Sequence, residues 1–253
     1  MTVHVVGAGL AGMVAALALA RAGHAVTLHD AAAAPGGRCG ALPDGTDAHV
    51  LLGANAATLR FLDAIGARGD WVEPEPDGLP LVDLADGSAR RVALAPRAWR
   101  DPALRPPGLT AGGLLALAGM AAGITDRPVA DALAKHPALL RGFAGPLALA
   151  TLHTPVAEAS SARLGQVLRG LGAGRLLVAR DGLGVGLVAP ALAALRDAGA
   201  SINPGARLRA LTTAEERAIA LHLAGESLPV EPGDAVILAL PPWEAARLVT
   251  GLR

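Results

Sequence analysis

The stretch from Val3 to Asp30, VHVVGAGLAGMVAALALARAGHAVTLHD, decides the fold of this 253-residue chain. Its first apolar segment, Val3–Val6, is typical of a buried strand and runs directly into glycines. The Ala- and Leu-rich segment 10–22 predicts a helix that ends at Gly23, and residues 25–28 predict a second strand. A strand, a helix and a strand within so few residues predict the βαβ unit that opens a Rossmann-like α/β fold.

The sequence GAGLAG, which begins at Gly7, connects the first predicted strand to the helix. In this motif Gly7 permits a tight turn, Gly9 lets the backbone approach a pyrophosphate, and Gly12 lets helix and strand pack closely. The phosphates would lie at the helix N-terminus, where free N–H groups and the helix dipole favour negative charge. The first helical residues, Leu10 and Ala11, are therefore predicted cofactor contacts.

Asp30 ends the second predicted strand, where a dinucleotide-binding fold places an acidic residue. Such a carboxylate accepts hydrogen bonds from a ribose diol and disfavours a 2′-phosphate, so NADP is the less favoured ligand. Shortly afterwards, Gly36, Gly37 and Arg38 predict a second approach to the same cofactor, with Arg38 near a phosphate. The glycine motif by itself does not distinguish NAD from FAD.

The composition excludes several classes of protein. The chain is 52% hydrophobic and only 17% charged, which argues against intrinsic disorder. Its formal charge is zero, so we expect no nucleic-acid partner. Cys39 is the single cysteine, which excludes a disulfide scaffold and a CxxC metal site, and we expect no metal.

The remaining segments predict alternating helices and strands. Asp86 and Gly87 predict the turn of a hairpin between 81–84 and 91–94. Further helices are predicted near 56–65, 111–124, 129–135, 161–171, 190–197 and 243–249, and further strands near 176–179, 207–211, 218–223 and 235–240. The apolar stretch from Leu109 to Ile124 is shorter than a membrane span, and two interpretations stay open: burial, or contact with a membrane surface.

Residues 5–40, from VVGAGLAG to PGGRCG, resemble the N-terminus of the flavin amine oxidase and phytoene desaturase superfamily. Residues 198–211 and 233–242 are similar to the second cofactor segment of that superfamily. The resemblance implies that the dinucleotide fold binds FAD. It also implies that the backbone at Leu208 contacts the adenine end of the cofactor.

Two further segments, 49–67 and 145–170, resemble the hydroxysqualene dehydroxylase family within that superfamily. The family usually has Asn where this chain has His153. Of the polar run that the family carries before VLLG, only His49 is retained here, in the stretch 45–49. Family members also continue beyond the last residue of this sequence, which predicts a fragment, a split gene product or a truncated descendant.

The resemblance implies an FAD-dependent oxidoreductase that reduces hydroxysqualene to squalene, with an apolar polyprenyl or triterpene-like substrate. We expect a cytoplasmic protein, with a peripheral membrane contact as an open alternative. The expected architecture is an FAD-binding domain from residues 1–75 and 200–253, with a mostly helical substrate region, 76–199, inserted between them. No catalytic side chain is predicted, since the flavin would carry the redox chemistry. The alternatives are a related enzyme acting on an amine or a carotenoid precursor, and a non-catalytic dinucleotide-binding remnant.

Overall fold

The computed structural model of the chain describes residues 1–40, 49–73, 78–171, 176–215 and 217–249. The described residues fall into two compact units. Unit 1 comprises Met1–His49, Ala57–Val72 and Val178–Arg253, and unit 2 comprises Val50–Ala56 and Glu73–Leu177. The predicted division into a cofactor domain and a substrate region is a division by function, and it stays a prediction.

Among the described residues, helices and strands alternate at the start of the chain, whereas five helices follow one another between residues 111 and 171 and five strands between residues 201 and 238. The helices are α1 (Leu10–Arg21), α2 (Ala56–Ala64), α3 (Ala111–Ala122), α4 (Val129–Ala132), α5 (Pro137–Leu139), α6 (Gly145–Leu152), α7 (Ser161–Leu171), α8 (Ala189–Asp197) and α9 (Pro242–Leu248). The strands are β1 (Thr2–Val6), β2 (Ala25–His29), β3 (Val50–Leu52), β4 (Trp71–Val72), β5 (Leu79–Val82), β6 (Ala89–Val92), β7 (Leu176–Ala179), β8 (Ser201–Asn203), β9 (Leu208–Ala214), β10 (Arg217–Leu223), β11 (Glu226–Pro229) and β12 (Ala235–Leu238).

Unit 1 is built on a parallel sheet with the strand order β12-β1-β2-β8. Strand β1 pairs with both β12 and β2, and its apolar residues are buried, as a strand covered on both faces requires. Helix α1 crosses from β1 to β2 and buries Met13, Ala16 and Leu17. Because β1 has neighbours on both sides, the carboxyl ends of three parallel strands open onto one crevice, where such sheets bind ligands.

A second sheet of unit 1 is antiparallel, with the order β11-β10-β9. Its apolar side chains form a core with the first sheet that includes Val6, Leu208, Leu221 and Leu248. This core places the start of β9 and helix α9 beside the carboxyl end of β1. The antiparallel sheet therefore contributes to the same crevice as the glycine motif.

Unit 2 is mostly helical and has a hydrophobic core of its own, which includes Trp99, Leu133, Phe143 and Leu164. The rings of Trp99 and Phe143 meet edge to face, with their centroids 5.7 Å apart. Helices α3 and α7 pack closely because Gly165 has no side chain. A Cβ atom at Gly165 would lie 1.9 Å from the backbone oxygen of Met120.

Most predicted elements are present, and the Rossmann-like α/β fold is among them. The hairpin strands β5 and β6 begin two residues earlier than predicted, because Asp83 and Ser88 close a wider turn around Asp86 and Gly87. The sequence did not predict β8, β11 or the helical run 137–152, nor did it predict the short strands β3 and β4. The first two are short edge strands with little apolar alternation, and the third contains prolines and a π-helical turn at Leu140–Ala144.

Candidate functional site

The predicted glycine turn has the geometry that its sequence requires. Gly7 has φ +104°, and a Cβ there would lie within 2.4 Å of the Ala239 carbonyl oxygen, so a side chain is excluded by both conformation and space. A Cβ at Gly12 would lie 1.7 Å from the Gly7 carbonyl oxygen. Gly7 and Gly12 therefore hold the loop, strand β12 and helix α1 in direct backbone contact.

Gly9 differs from its two neighbours because a Cβ at this position would meet nothing within 4 Å. The space beside its backbone is open. Gly9 is the N-cap of α1, it offers no side chain to cap the helix, and the first turn of α1 contains no acidic residue. The N–H groups of the first turn, including those of Leu10 and Ala11, are therefore not capped by a side chain and can accept an anion. This open cradle fits the pyrophosphate of a dinucleotide.

The Asp30 carboxylate is tied to the backbone around it. The Ala8 N–H donates to one oxygen at 2.6 Å, and the Ala32 N–H donates to the other at 2.7 Å. A carboxylate offers about four acceptor positions, so these two bonds leave capacity for the hydroxyls of a ribose. Asp30 thus positions the glycine loop and still presents acceptor oxygens to the crevice.

The second predicted cofactor segment lies against the first. The Gly36 N–H donates to the Ala8 carbonyl at 2.9 Å, and a Cβ at Gly37 would come within 3.2 Å of the Gly9 Cα. Arg38 follows in a short 3₁₀ turn, and its side chain is exposed. The structure therefore brings Gly36 and Gly37 to the N-terminus of α1 and leaves the guanidinium of Arg38 accessible.

Leu208 completes the predicted set from the distant end of the chain. It is buried at the start of β9 and lines a cavity of about 220 Å³ together with Gly7 and Asp30. The other residues that line this cavity were not predicted from the sequence; they are Val6, Ala31, Arg207, Leu240, Pro241, Glu244 and Leu248. The Pro241-Pro242 pair that ends the last predicted strand was the available signal, since the end of that strand lies at the crevice. We use the term nucleotide corner for residues 7–12, Asp30, Gly36, Gly37 and Leu208.

A buried histidine pair lies in the sheet beneath the nucleotide corner. His4 Nδ1 and His29 Nε2 are 3.2 Å apart, and Asn203 Nδ2 lies 3.4 Å from His29 Nδ1. Burial, with a smaller contribution from the nearby His4, lowers the pKa of His29 to about 4. Burial also lowers the pKa of His4, an effect that the Asp234 carboxylate partly offsets. Both rings are therefore neutral at physiological pH, and His29 is the residue directly before Asp30.

The surroundings of His49, His153 and Cys39 do not indicate a functional role. His49 is exposed, and the run 45–48 before it lies outside the described residues. His153 ends α6 with φ +51°, a left-handed conformation that Asn adopts more readily than most residues. Burial raises the pKa of the Cys39 thiol, while Arg38 opposes the shift, so Cys39 is not poised as a reactive thiolate.

The geometry defines a class of protein, one with a Rossmann-like dinucleotide-binding fold. A family model described as an NAD(P)-binding Rossmann-like domain matches residues 5–62. Among solved structures, an oxidoreductase from Methanosarcina mazei matches with a TM-score of 0.73 at 18% identity, covering all of this chain and 62% of its own. Cyclohexylamine oxidase from Brevibacterium oxydans matches with a TM-score of 0.64 at 20% identity, covering 98% and 60%. These likenesses confirm the predicted fold class.

Similarity to curated proteins points to a narrower group and confirms the predicted resemblance to hydroxysqualene dehydroxylases. The chain is 36% identical to hydroxysqualene dehydroxylase from Rhodopseudomonas palustris, over its whole length and 64% of that protein. It is 33% identical to hydroxysqualene dehydroxylase from Sinorhizobium fredii, over 99% of the chain and 64% of the relative. The chain thus spans somewhat less than two thirds of the length of the curated relatives it matches.

Two further findings concern metal ions and membranes in the residues that the structure describes. No group of three or more His, Cys, Asp or Glu side chains that could hold a metal ion occurs among them. Within the same residues, no helix is both long enough and apolar enough to cross a membrane.

Proposed function

We propose that this chain holds FAD at the nucleotide corner and serves an oxidoreductase that reduces hydroxysqualene to squalene. The observation that supports the cofactor assignment is the open N-terminus of α1. There Gly9 leaves free space and uncapped N–H groups beside the Asp30 carboxylate. The substrate rests on the similarity to hydroxysqualene dehydroxylases along the whole chain. Its chemical class would be an apolar isoprenoid.

In this proposal the protein residues bind and orient, and no side chain is assigned to catalysis. The N–H groups of Leu10 and Ala11 would hold the pyrophosphate, and the Asp30 oxygens would accept bonds from the adenosine ribose. Leu208 would contact the adenine end. When bound in its reduced form, FAD would supply two electrons and two protons, so that hydrogen replaces the hydroxyl of the substrate and the hydroxyl leaves as water.

The assignment of regions follows the same logic. Residues 1–75 and 200–253 would form the cofactor domain, and residues 76–199 would serve the substrate. The helical, apolar unit 2 supports a region that receives an isoprenoid. Because an isoprenoid of this kind partitions into lipid, a peripheral membrane contact is part of the proposal.

The test is the visible absorption spectrum of the purified chain before and after addition of FAD. Gly9→Val is the diagnostic variant, because a Cβ at this position meets no protein atom within 4 Å and the side chain would extend into the cradle. Gly69→Val is the matched control, since a Cβ at Gly69 also meets nothing within 4 Å but lies away from the nucleotide corner. We expect the wild-type chain and Gly69→Val to retain FAD and Gly9→Val to lose it. If both variants retained FAD equally, the proposed binding site would be wrong. If the wild-type chain bound no flavin, the proposed cofactor would be wrong.

If flavin is retained, the reaction is tested with reduced flavin and hydroxysqualene in the absence of oxygen, with squalene as the expected product. Conversion of an amine or a carotenoid precursor without squalene formation would favour the related activities instead.

A further inference from the structure

Helix α3 is unusual for a helix at a protein surface. Its sequence, AGGLLALAGMAA, contains no charged or polar side chain. One side is accounted for, since Gly113, Leu117 and Met120 are buried in the core of unit 2. A surface helix normally presents polar residues on its other side.

The outward side of α3 is apolar and exposed. Leu114 is 45% exposed and Leu115 is 73% exposed. Ala118 and Ala122, one and two turns beyond Leu115 on the same side, are exposed as well. Leucines at this exposure lack the stabilisation that burial gives, and a surface that covered this side of α3 would restore it.

Basic side chains lie next to this apolar surface, although α3 itself carries none. A cavity of about 520 Å³ at the start of α3 is lined by Leu109 and Leu114 together with Arg97, Arg100 and Arg105. These arginines come from the Pro-rich segment that precedes the helix. The chain places basic groups beside the apolar stripe by folding this segment onto the N-terminal end of α3.

The arginines are not equivalent. Arg105 donates from Nε to the Trp99 carbonyl at 2.9 Å, so it also holds its own segment in place. Arg97 and Arg100 are exposed. The acidic residue of the same segment, Asp101, accepts a hydrogen bond from the Ala103 N–H at 2.9 Å. The segment from Pro96 to Leu109 therefore carries three arginines against one aspartate, a net positive charge beside an apolar surface.

We propose that this surface, the α3 face, docks the chain on an anionic phospholipid membrane. The α3 face consists of Leu114, Leu115, Arg97 and Arg100. The leucines would enter the boundary between headgroups and acyl chains, and the guanidinium groups would contact phosphates at the same depth. Charge complementarity selects this occupant, because a second apolar protein surface would leave the arginines without anionic partners. The inference rests on the proposed function only in its purpose, which is to bring the enzyme to a substrate dissolved in lipid.

The test is flotation of the purified 253-residue chain with phosphatidylcholine vesicles, with and without phosphatidylglycerol. We expect binding only when phosphatidylglycerol is present, and we expect added salt to weaken it. Arg97→Gln combined with Arg100→Gln should reduce the partition coefficient by about tenfold or more, since each basic residue near an anionic surface contributes roughly a fivefold increase. Leu115→Gln should reduce it several-fold.

Matched controls distinguish binding through the α3 face from non-specific binding to vesicles. Arg196→Gln removes an exposed arginine from α8, and Leu84→Gln removes a leucine that is 94% exposed in the β5–β6 turn. Both should bind vesicles as the wild-type chain does. Circular dichroism of every variant confirms that the helices are intact.

The remaining outcomes each overturn the proposal. Binding that ignores phosphatidylglycerol, or that survives the arginine and leucine changes, would show that the α3 face is not the docking surface. Concentration-dependent dimerisation that Leu115→Gln abolishes, without vesicle binding, would assign the face to a second copy of the chain. Flavin absorbance recorded on the same samples separates the two proposals: vesicle binding by a flavin-free chain contradicts only the function, and flavin retention without vesicle binding contradicts only the docking.

Discussion

Gly12 at the nucleotide corner of unit 1 and Gly165 in the α3–α7 packing of unit 2 both let backbone segments pack closely, but the residues they contact lie at different distances along the sequence. At the nucleotide corner, Gly12 contacts the backbone of Gly7 in the same loop. In unit 2, Gly165 contacts the backbone of Met120, which belongs to a different helix. A contact between neighbouring residues can be recognised in the sequence as a short motif. A contact between distant segments cannot, because a single glycine within a helix looks like any other helical glycine.

The comparison also separates structure from ligand binding. Gly7 and Gly12 are required for backbone packing, whereas Gly9 leaves space for a partner outside the protein. Gly165 is used for packing alone. Within the glycine motif, Gly9 thus differs from Gly7 and Gly12 in having open space where a side chain would lie.

The largest expected effect is at the nucleotide corner. Gly12→Ala would place a Cβ 1.7 Å from the Gly7 carbonyl oxygen, so the loop or the helix must move. Because the obstacle is backbone, we expect a loss of more than about 3 kcal/mol in the free energy of unfolding, together with loss of flavin retention. Urea unfolding measures the first and absorbance the second. Near-wild-type stability would show that the corner is more plastic than its packing indicates.

The corresponding change in unit 2 sharpens the comparison. Gly165→Ala should lower the free energy of unfolding by about 2–3 kcal/mol, because its Cβ meets the Met120 oxygen at 1.9 Å. Gly119→Ala is the control within α3, where a Cβ would come no closer than 4.0 Å to Ile124. That change should raise stability by about 0.5–1 kcal/mol through helix propensity. Hydrogen exchange should show the loss from Gly165→Ala in α3 and α7, and a loss of the same size in α1 would contradict a local effect.

The histidine pair predicts a pH dependence that originates in unit 1. The pKa of His29 is lowered to about 4 in the folded chain, and the usual value of a histidine is about 6.5. Between these two pH values the unfolded chain binds more protons than the folded chain. The contribution of His29 to the free energy of unfolding is therefore fully present above about pH 6.5, and it decreases as the pH drops towards 4. We expect a loss of up to roughly 3 kcal/mol over this range.

Urea unfolding across that pH range measures the effect. His29→Gln should flatten the dependence, whatever its own cost in stability, because it removes the group that titrates. His49→Gln changes an exposed histidine and should keep the slope of the wild-type chain. An unchanged slope in His29→Gln would assign the pH dependence to other groups.

The smallest expected effect is at the end of α6 in unit 2. His153 has φ +51°, which costs a residue with a side chain about 1–2 kcal/mol relative to glycine. His153→Gly should therefore raise the free energy of unfolding by about 1 kcal/mol. The same change at His136, whose φ is −131°, should lower stability instead. Equal effects at the two positions in thermal unfolding would contradict the conformational explanation.

Much of the site could be predicted because most of its residues belong to one short segment of the chain. Gly7, Gly9, Gly12 and Asp30 lie at fixed offsets from a strand and a helix, and those offsets follow from the geometry of a βαβ unit. Arg207 and Glu244 were missed because they reach the cavity from segments that become neighbours only when β9 and α9 pack against the first sheet.

The arginines of the α3 face illustrate the same limit. In the sequence, Arg97 and Arg100 belong to a Pro-rich connection, and the apolar stretch that begins at Leu109 has no basic side. Only folding of the connection onto the start of α3 places charge beside the exposed leucines.

The sequence by itself determined the Rossmann-like start, the cofactor motif and the resemblance to a family, because these depend on local conformation and on residues close together in the chain. The tertiary structure decided which distant residues complete the cavity, that Gly165 permits α3 and α7 to meet, and that α3 has an exposed apolar side with basic neighbours. These features all depend on contacts between segments that lie far apart in the sequence. The energy of such contacts depends on side-chain packing, which cannot be read from a local sequence pattern.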